Sequence, residues 1–218
     1  MTMMKFAVLT ATLAASASAF APAQSNTRVV TSLNAERSKS LPFMNRPDLL
    51  DGSMAGDVGF DPLGLSTIEG VGVDLYWLRE AEIKHCRVAM MAVAGVLWVE
   101  LFGPAPGCEM ATAKSQTDAF WQLWQAHPQY IAFGFIMTGL VEMITGIAIT
   151  TGRESGQRAP GDFGLDPLKI KNNPAKWEKY SLNEVKNGRL AMFAAAGQLM
   201  QSWTTHEGAF ENLSATFN

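Results

Sequence analysis

Cysteine is nearly absent: Cys86 and Cys108 are the only two in 218 residues. They show no CxxC or other paired spacing, which excludes a disulfide framework and a thiolate zinc site. Histidine is almost as scarce, with three, and no nucleophile–base signature goes with them. The one phosphate-loop fragment, Gly70-x-Gly72, lacks its third glycine. An enzyme is therefore the least supported class. Basic excess is missing too: 17 Lys and Arg against 20 Asp and Glu give a net charge of −3, which offers no support for a nucleic-acid partner. Mean hydropathy is near zero, so bulk composition does not announce a membrane protein. The apolar residues, 48% of the chain, are clustered, however, and clustering is what a bilayer requires.

The first 35 residues contain no acid; the first is Glu36. Lys5 precedes the apolar run Phe6 to Ala15, and Ala17-Ser18-Ala19 follows. That is a signal-peptide pattern with a small-residue cleavage site, and its apolar run is too short to span a bilayer. Residues 20–35, with Arg28 and several Ser and Thr, are transit-like. The expectation is a removable leader over 1–35 ahead of one domain over 36–218. Plain secretion is the other reading of the same segment. Its removal takes away Lys5, Arg28 and no acid, moving the net charge from −3 to −5.

One stretch occurs twice. Glu82-Ile83-Lys84-His85-Cys86-Arg87-Val88-Ala89-Met90 returns as Glu184-Val185-Lys186-Asn187-Gly188-Arg189-Leu190-Ala191-Met192, 102 residues on. A turn-rich lead-in returns as well. Gly56-Asp57-Val58-Gly59-Phe60-Asp61-Pro62-Leu63 is matched by Gly161-Asp162-Phe163-Gly164-Leu165-Asp166-Pro167-Leu168. The duplicated unit is thus a loop followed by a helix.

Three spans are expected, over about 74–101, 130–151 and 180–204, with a short amphipathic stretch at 210–217. Asp74 is the expected cap of the first helix. Residues 102–129 read as a loop with interfacial Trp121 and Trp124. Lys and Arg number three in 36–73, one in 102–129 and six in 152–179. The N-terminal segment and the second long loop therefore share a side, as three crossings demand. The fold class is an all-α membrane protein whose first and third helices are pseudo-symmetric and cross.

On a helix, Glu82 and His85 lie about 60° apart, whereas Arg87 is about 140° from Glu82. An ion pair within one helix is poor at that spacing. Two crossing helices can exchange them, Glu82 with Arg189 and Glu184 with Arg87. A lone charge near mid-membrane costs about 2.5–3.5 kcal/mol on the insertion scale, and pairing removes it. The carboxylate keeps free lone pairs for a metal with an open axial position. His85 offers an imidazole nitrogen and Asn187 an amide oxygen. Magnesium accepts such oxygen donors, and a magnesium macrocycle has one open axial site and an apolar ring. The alternative is that both boxes are only helix–helix staples.

At these residues the chain resembles the light-harvesting chlorophyll-binding protein family, and most closely fucoxanthin chlorophyll a/c and red-lineage photosystem I-type antenna proteins. The resemblance covers Leu41-Pro42-Phe43, both lead-in loops, both boxes and Glu211-Asn212-Leu213. It implies Glu82, His85, Glu184, Asn187 and Gln201 as axial ligands to chlorophyll magnesium, with Arg87 and Arg189 as ion-pair partners. Gln201 lies about 21 Å beyond Asn187 on nearly the same face; a plain interhelical hydrogen bond is its other reading. Glu142 matches the family's middle-helix acid, with an unpaired acid as the alternative. Gly134 stands where relatives often have Gln, so no side-chain ligand is expected there. Thr216 stands where many have His, and His206 is a weak substitute. The loops around Asp57 and Asp162 resemble those that hold carotenoid end groups. The implied cofactors are chlorophyll a, chlorophyll c and carotenoids, fucoxanthin or related xanthophylls. The implied location is the plastid thylakoid membrane. The implied partners are a photosystem core (I before II), other antenna subunits and thylakoid lipids.

The leading function is antenna, with photoprotective quenching as the alternative inside the family. Glu100, Glu109 and Asp118 are the acids expected on the lumenal side. A different class, a small proton or ion transporter relaying through Glu82, Glu142 and Glu184, explains neither His85 and Asn187 nor the duplicated loops.

Overall fold

The computed structural model of the protein describes residues 37–67, 74–104, 113–156, 158–167 and 169–217. The expected leader, Cys108 and Glu109 lie outside the described residues. Five α-helices follow in order: α1, Leu75–Phe102; α2, Gln116–Ala126; α3, Pro128–Ser155; α4, Pro174–Thr205; and α5, Ala209–Phe217.

The helix ends are set by local chemistry. Asp74 Oδ1 accepts from the Trp77 amide at 3.0 Å and starts α1. Gly103, at φ 81°, ends it. Pro128 begins α3, where a missing N–H is no loss. Gly156, at φ 63°, ends it in the left-handed region. Asn173 caps α4 by accepting from the Lys176 amide, with Pro174 in the first turn. That cap starts the helix six residues before the expected 180, because Asn-Pro is a stronger start signal than the apolar pattern behind it.

α1 and α4 cross, and the duplication is visible at the crossing. The buried residues of the first box are Ile83, Cys86 and Ala89; those of the second are Val185, Gly188 and Ala191. Each set is the other moved by 102 positions. At the axis a Cβ on Gly188 would lie 2.3 Å from Cys86 Cβ. Only a glycine lets the two backbones approach this closely. Cys86, 1% exposed, is a small core residue.

Among the described residues two helices, α1 and α3, are long and apolar enough to cross a membrane, and almost none of their apolar windows is buried within the chain. The expectation of three is corrected on this criterion. α4 has the length, but Arg189, Gln198, Gln201 and Ser202 interrupt its apolar run. Residues 116–126 were expected as a loop and form α2 instead. Its apolar residues, Phe120, Leu123 and Trp124, recur at helical spacing. α2 is tied to α4 by hydroxyls: Ser115 Oγ and Ser202 Oγ are 2.8 Å apart, and the Thr117 amide donates to Ser202 Oγ at 3.1 Å. α5 lies where the amphipathic stretch was expected.

Candidate functional site

The two lead-in loops fold alike because the same Asp residues do the same work. Asp57 Oδ1 accepts from the Gly59 amide at 2.8 Å, and Asp162 Oδ1 from the Gly164 amide at 2.9 Å. Asp61 accepts from the amides of Leu65 and Ser66; Asp166 accepts from those of Ile170 and Lys171. The bonds at Asp57 and Asp162 are Asx turns, and those at Asp61 and Asp166 reach the single helical turns that follow, Leu65–Thr67 and Ile170–Asn172. Lys171 beside Asp162 holds its carboxyl below the usual carboxylate range. The Lys171 and Ile170 amides do the same for Asp166.

Each loop delivers a carbonyl to the opposite helix. Arg87 on α1 donates through Nη1 to Gly161 O at 2.8 Å, and Arg189 on α4 donates through Nη1 to Gly56 O at 3.0 Å. The same guanidiniums turn Nε to the carboxylates. Arg87 Nε donates to Glu184 Oε1 at 2.7 Å, and Arg189 Nε to Glu82 Oε1 at 2.8 Å. The result is a two-fold frame in which each helix is pinned to the other helix and to the other's lead-in loop. Gly56 and Gly161, at φ 75° and 79°, pack on Val185 and Ile83 in the same reciprocal way.

The frame is asymmetric at one place. Arg79, one turn before Glu82, donates to Glu82 Oε2 and to Ala55 O. Its register counterpart in the second copy is Ser181. Both oxygens of Glu82 are therefore engaged, whereas Glu184 Oε2 has no partner among the described residues. A cavity of about 540 Å³ opens beside Glu82 and Arg189, walled by Met54, Val58, Phe60 and Leu78.

His85 is exposed on α1, and its Nδ1 lies 2.7 Å from Ala81 O. A carbonyl only accepts, so Nδ1 is the donor in this contact, and Nε2 is the ring nitrogen left for a ligand. Asn187 and Gln201 are exposed on α4, with side chains that make no hydrogen bond among the described residues. Glu142 lies on α3, away from the frame, and takes Lys84 Nζ of α1 at 2.6 Å. Gly134 carries no side chain, and its Cβ direction is open.

Two residues with structural work, Arg79 and Arg158, were not singled out from sequence, and three that were named there turn out to hold helix junctions. Arg79 was legible in principle as an i, i+3 partner of Glu82. Arg158, which pairs with buried Glu80 at 2.7 Å and also donates to Ala148 O, had no local signal, because its partner is 78 positions away. Glu100 accepts from the amides of Ala209 and Phe210 and so caps α5. His206 lies 3.0 Å from Asp118. His127 sits at the α2–α3 junction, edge-on to Tyr130.

A family profile described as "Chlorophyll A-B binding protein" matches residues 46–203. The chain belongs to this family. It is 34% identical over 200 residues to "Photosystem I chlorophyll a/b-binding protein 5, chloroplastic" of Arabidopsis thaliana, covering 82% of this chain and 75% of the relative. To "Chlorophyll a-b binding protein 1B-21, chloroplastic" of Hordeum vulgare it is 36% identical over 180 residues, covering 79% and 71%. To "Photosystem I chlorophyll a/b-binding protein 3-1, chloroplastic" of Arabidopsis thaliana it is 32% identical over 189 residues, covering 75% and 69%. As a member of this family the chain is a multi-pass helical protein of the chloroplast thylakoid membrane, with a general role in light harvesting and not in catalysis.

Proposed function

We propose that the chain binds chlorophylls and carotenoids and passes their excitation to a photosystem core, photosystem I before II, alongside other antenna subunits. The observation that carries this is the reciprocal pair of Glu–Arg bonds, which holds two charge-compensated carboxylates across α1 and α4 and leaves Glu184 Oε2 without a partner among the described residues. The donor set suits magnesium: carboxylate oxygens at Glu82, Glu142 and Glu184, amide oxygens at Asn187 and Gln201, and imidazole Nε2 at His85. Chlorophyll, when bound, supplies the optical transitions. The residues hold it at fixed spacing on stiff helices, and Arg87 and Arg189 cancel the charge of the carboxylates they orient. Carotenoid end groups belong in the lead-in loops, the cavity beside Glu82 being one such place. α4 is the third span. Two of its charges, Glu184 and Arg189, are paired across the frame with Arg87 and Glu82, a cancellation that a residue-by-residue hydropathy sum does not see.

The finer pigment assignment is chlorophyll a with chlorophyll c and fucoxanthin or a related xanthophyll. It rests on the resemblance of the two boxes and lead-in loops to fucoxanthin chlorophyll a/c proteins, whereas the relatives above are named for chlorophyll a/b. A proton relay is disfavoured by pairing: Glu82 faces Arg189 and Arg79, Glu184 faces Arg87, and Glu142 faces Lys84.

The test is absorption and fluorescence excitation of the purified protein in mild detergent, with pigment extraction. Carotenoid excitation appearing in chlorophyll emission is expected, and His85→Ala should lose one chlorophyll per polypeptide. Chlorophyll b in place of c overturns the finer assignment. A shortened excited-state lifetime reassigns the role to quenching. A folded, colourless protein that lost no pigment during purification refutes pigment binding altogether.

A further inference from the structure

α3 is fastened to α1 by polar contacts. Arg153 on α3 pairs with Asp74 at 2.8 Å, and Arg158 just beyond α3 pairs with Glu80. The contact nearest the middle of α3 is Lys84–Glu142. Glu142 is the fifteenth of the 28 residues of α3, about 21 Å from the helix start, in the middle of its apolar run. Its carboxylate is 58% exposed, whereas Lys84 is 24% exposed. Lys84 Nζ donates to Glu142 Oε2 and, at 2.9 Å, to Thr145 Oγ1; Thr145 in turn donates to Glu142 O at 3.2 Å. The ammonium is thus held from two directions, and Oε1 of Glu142 has no partner among the described residues.

The face around Glu142 is flat. Gly139 lies three residues before it and Gly146 four after, both on its side of the helix. A Cβ at either would meet nothing within 4 Å. An exposed carboxylate at mid-membrane needs a cation and a cover. Lys84 supplies the first, and the open face at Gly139 and Gly146 would admit a planar apolar macrocycle as the second.

We propose that Lys84 is a positioning residue for a pigment on Glu142. It fixes the carboxylate's rotamer through Oε2 and supplies its counter-charge, so that Oε1 is the oxygen that would hold the magnesium. This rests on the ligand role of Glu142 proposed above. The register counterpart of Lys84 is Lys186, which is exposed, so the arrangement belongs to the α1–α3 pair and not to the duplication.

The experiment uses the full chain assembled with its pigments and measures chlorophyll per polypeptide and the red absorption band missing from each variant. Glu142→Leu tests the underlying reading: loss of one chlorophyll upholds it, and an undiminished complement overturns it. Given that loss, Lys84→Met should lose the same pigment and the same band. Lys84→Arg should keep the pigment with its band displaced, because a guanidinium still donates but sits differently. The double variant Lys84→Met with Glu142→Gln should regain it, because a neutral amide oxygen can ligate without a counter-charge. The double variant also leaves no uncompensated charge if Lys84→Met alone fails to assemble. Full retention of an unshifted band in Lys84→Met overturns the proposal, as does absence of the band from the folded double variant. Arg153→Gln weakens another α1–α3 contact without touching Glu142. It should keep the band, and losing it would reduce Lys84 to a helix staple.

Discussion

Gly188 shows how much one hydrogen atom decides in this chain. A methyl there would meet Cβ, Sγ and Cα of Cys86 at 2.3, 2.6 and 3.0 Å, and the last of these is backbone that no rotamer change can move. Gly188→Ala should therefore push α1 and α4 apart at their closest point, at a cost of about 1–3 kcal/mol for overpacking. The measurement is the temperature at which the assembled protein loses pigment. Adding Cys86→Gly, which moves the larger residue to the other side of the pseudo-axis, should recover part of the loss. An unchanged melting temperature in Gly188→Ala would contradict the crossing geometry. Nothing in the residue alone announced this role. Cysteine at 86 and glycine at 188 are one of four unmatched pairs in the repeat, and only the crossing made them complementary.

At the level of elements, the lead-in loops are the part whose stability responds to pH. The carboxyls of Asp162, beside Lys171, and Asp166, bonded by the Lys171 and Ile170 amides, are held below the ordinary range. A depressed folded value stabilises the ionised loop above the unfolded value, about 4, and the contribution is lost as pH falls through the folded one. The loop over 158–167 should thus resist proteolysis equally at pH 7 and pH 5 and open only below about pH 4. Asp162→Asn should diminish that low-pH transition, with Asp166 carrying what remains. Opening of the wild-type loop already at pH 5 would show that these bonds do not hold it. The loops were recognisable from sequence because an Asx turn is local: Asp, Gly and Pro at fixed offsets specify it. α2 was missed because its Trp residues fitted an interfacial belt equally well, and a short helix and a membrane-edge loop share that composition.

For the whole molecule, the open structural matter is the path of α4. If Glu82 cancels Arg189, α4 crosses with α1, and three crossings put the two ends of the chain on opposite sides. A label at position 40 and one at position 160 should then be reached from the same face of sealed thylakoids, and a label at position 210 only from the other. Labelling of all three from one face would restrict the spans to α1 and α3.

Sequence by itself determined the repeat, the family and the residues able to ligate, because a motif is local and a duplicated motif declares its own register. It also implied that Glu82 and Arg189 belong together, since helical geometry forbids the bond within one helix and duplication supplies the second. Tertiary structure decided what depends on distance through space: that Arg158 reaches Glu80 and that Lys84 meets Glu142. Those partners lie on elements with no shared period, so no spacing along the chain encodes them, and only packing brings them within hydrogen-bond reach.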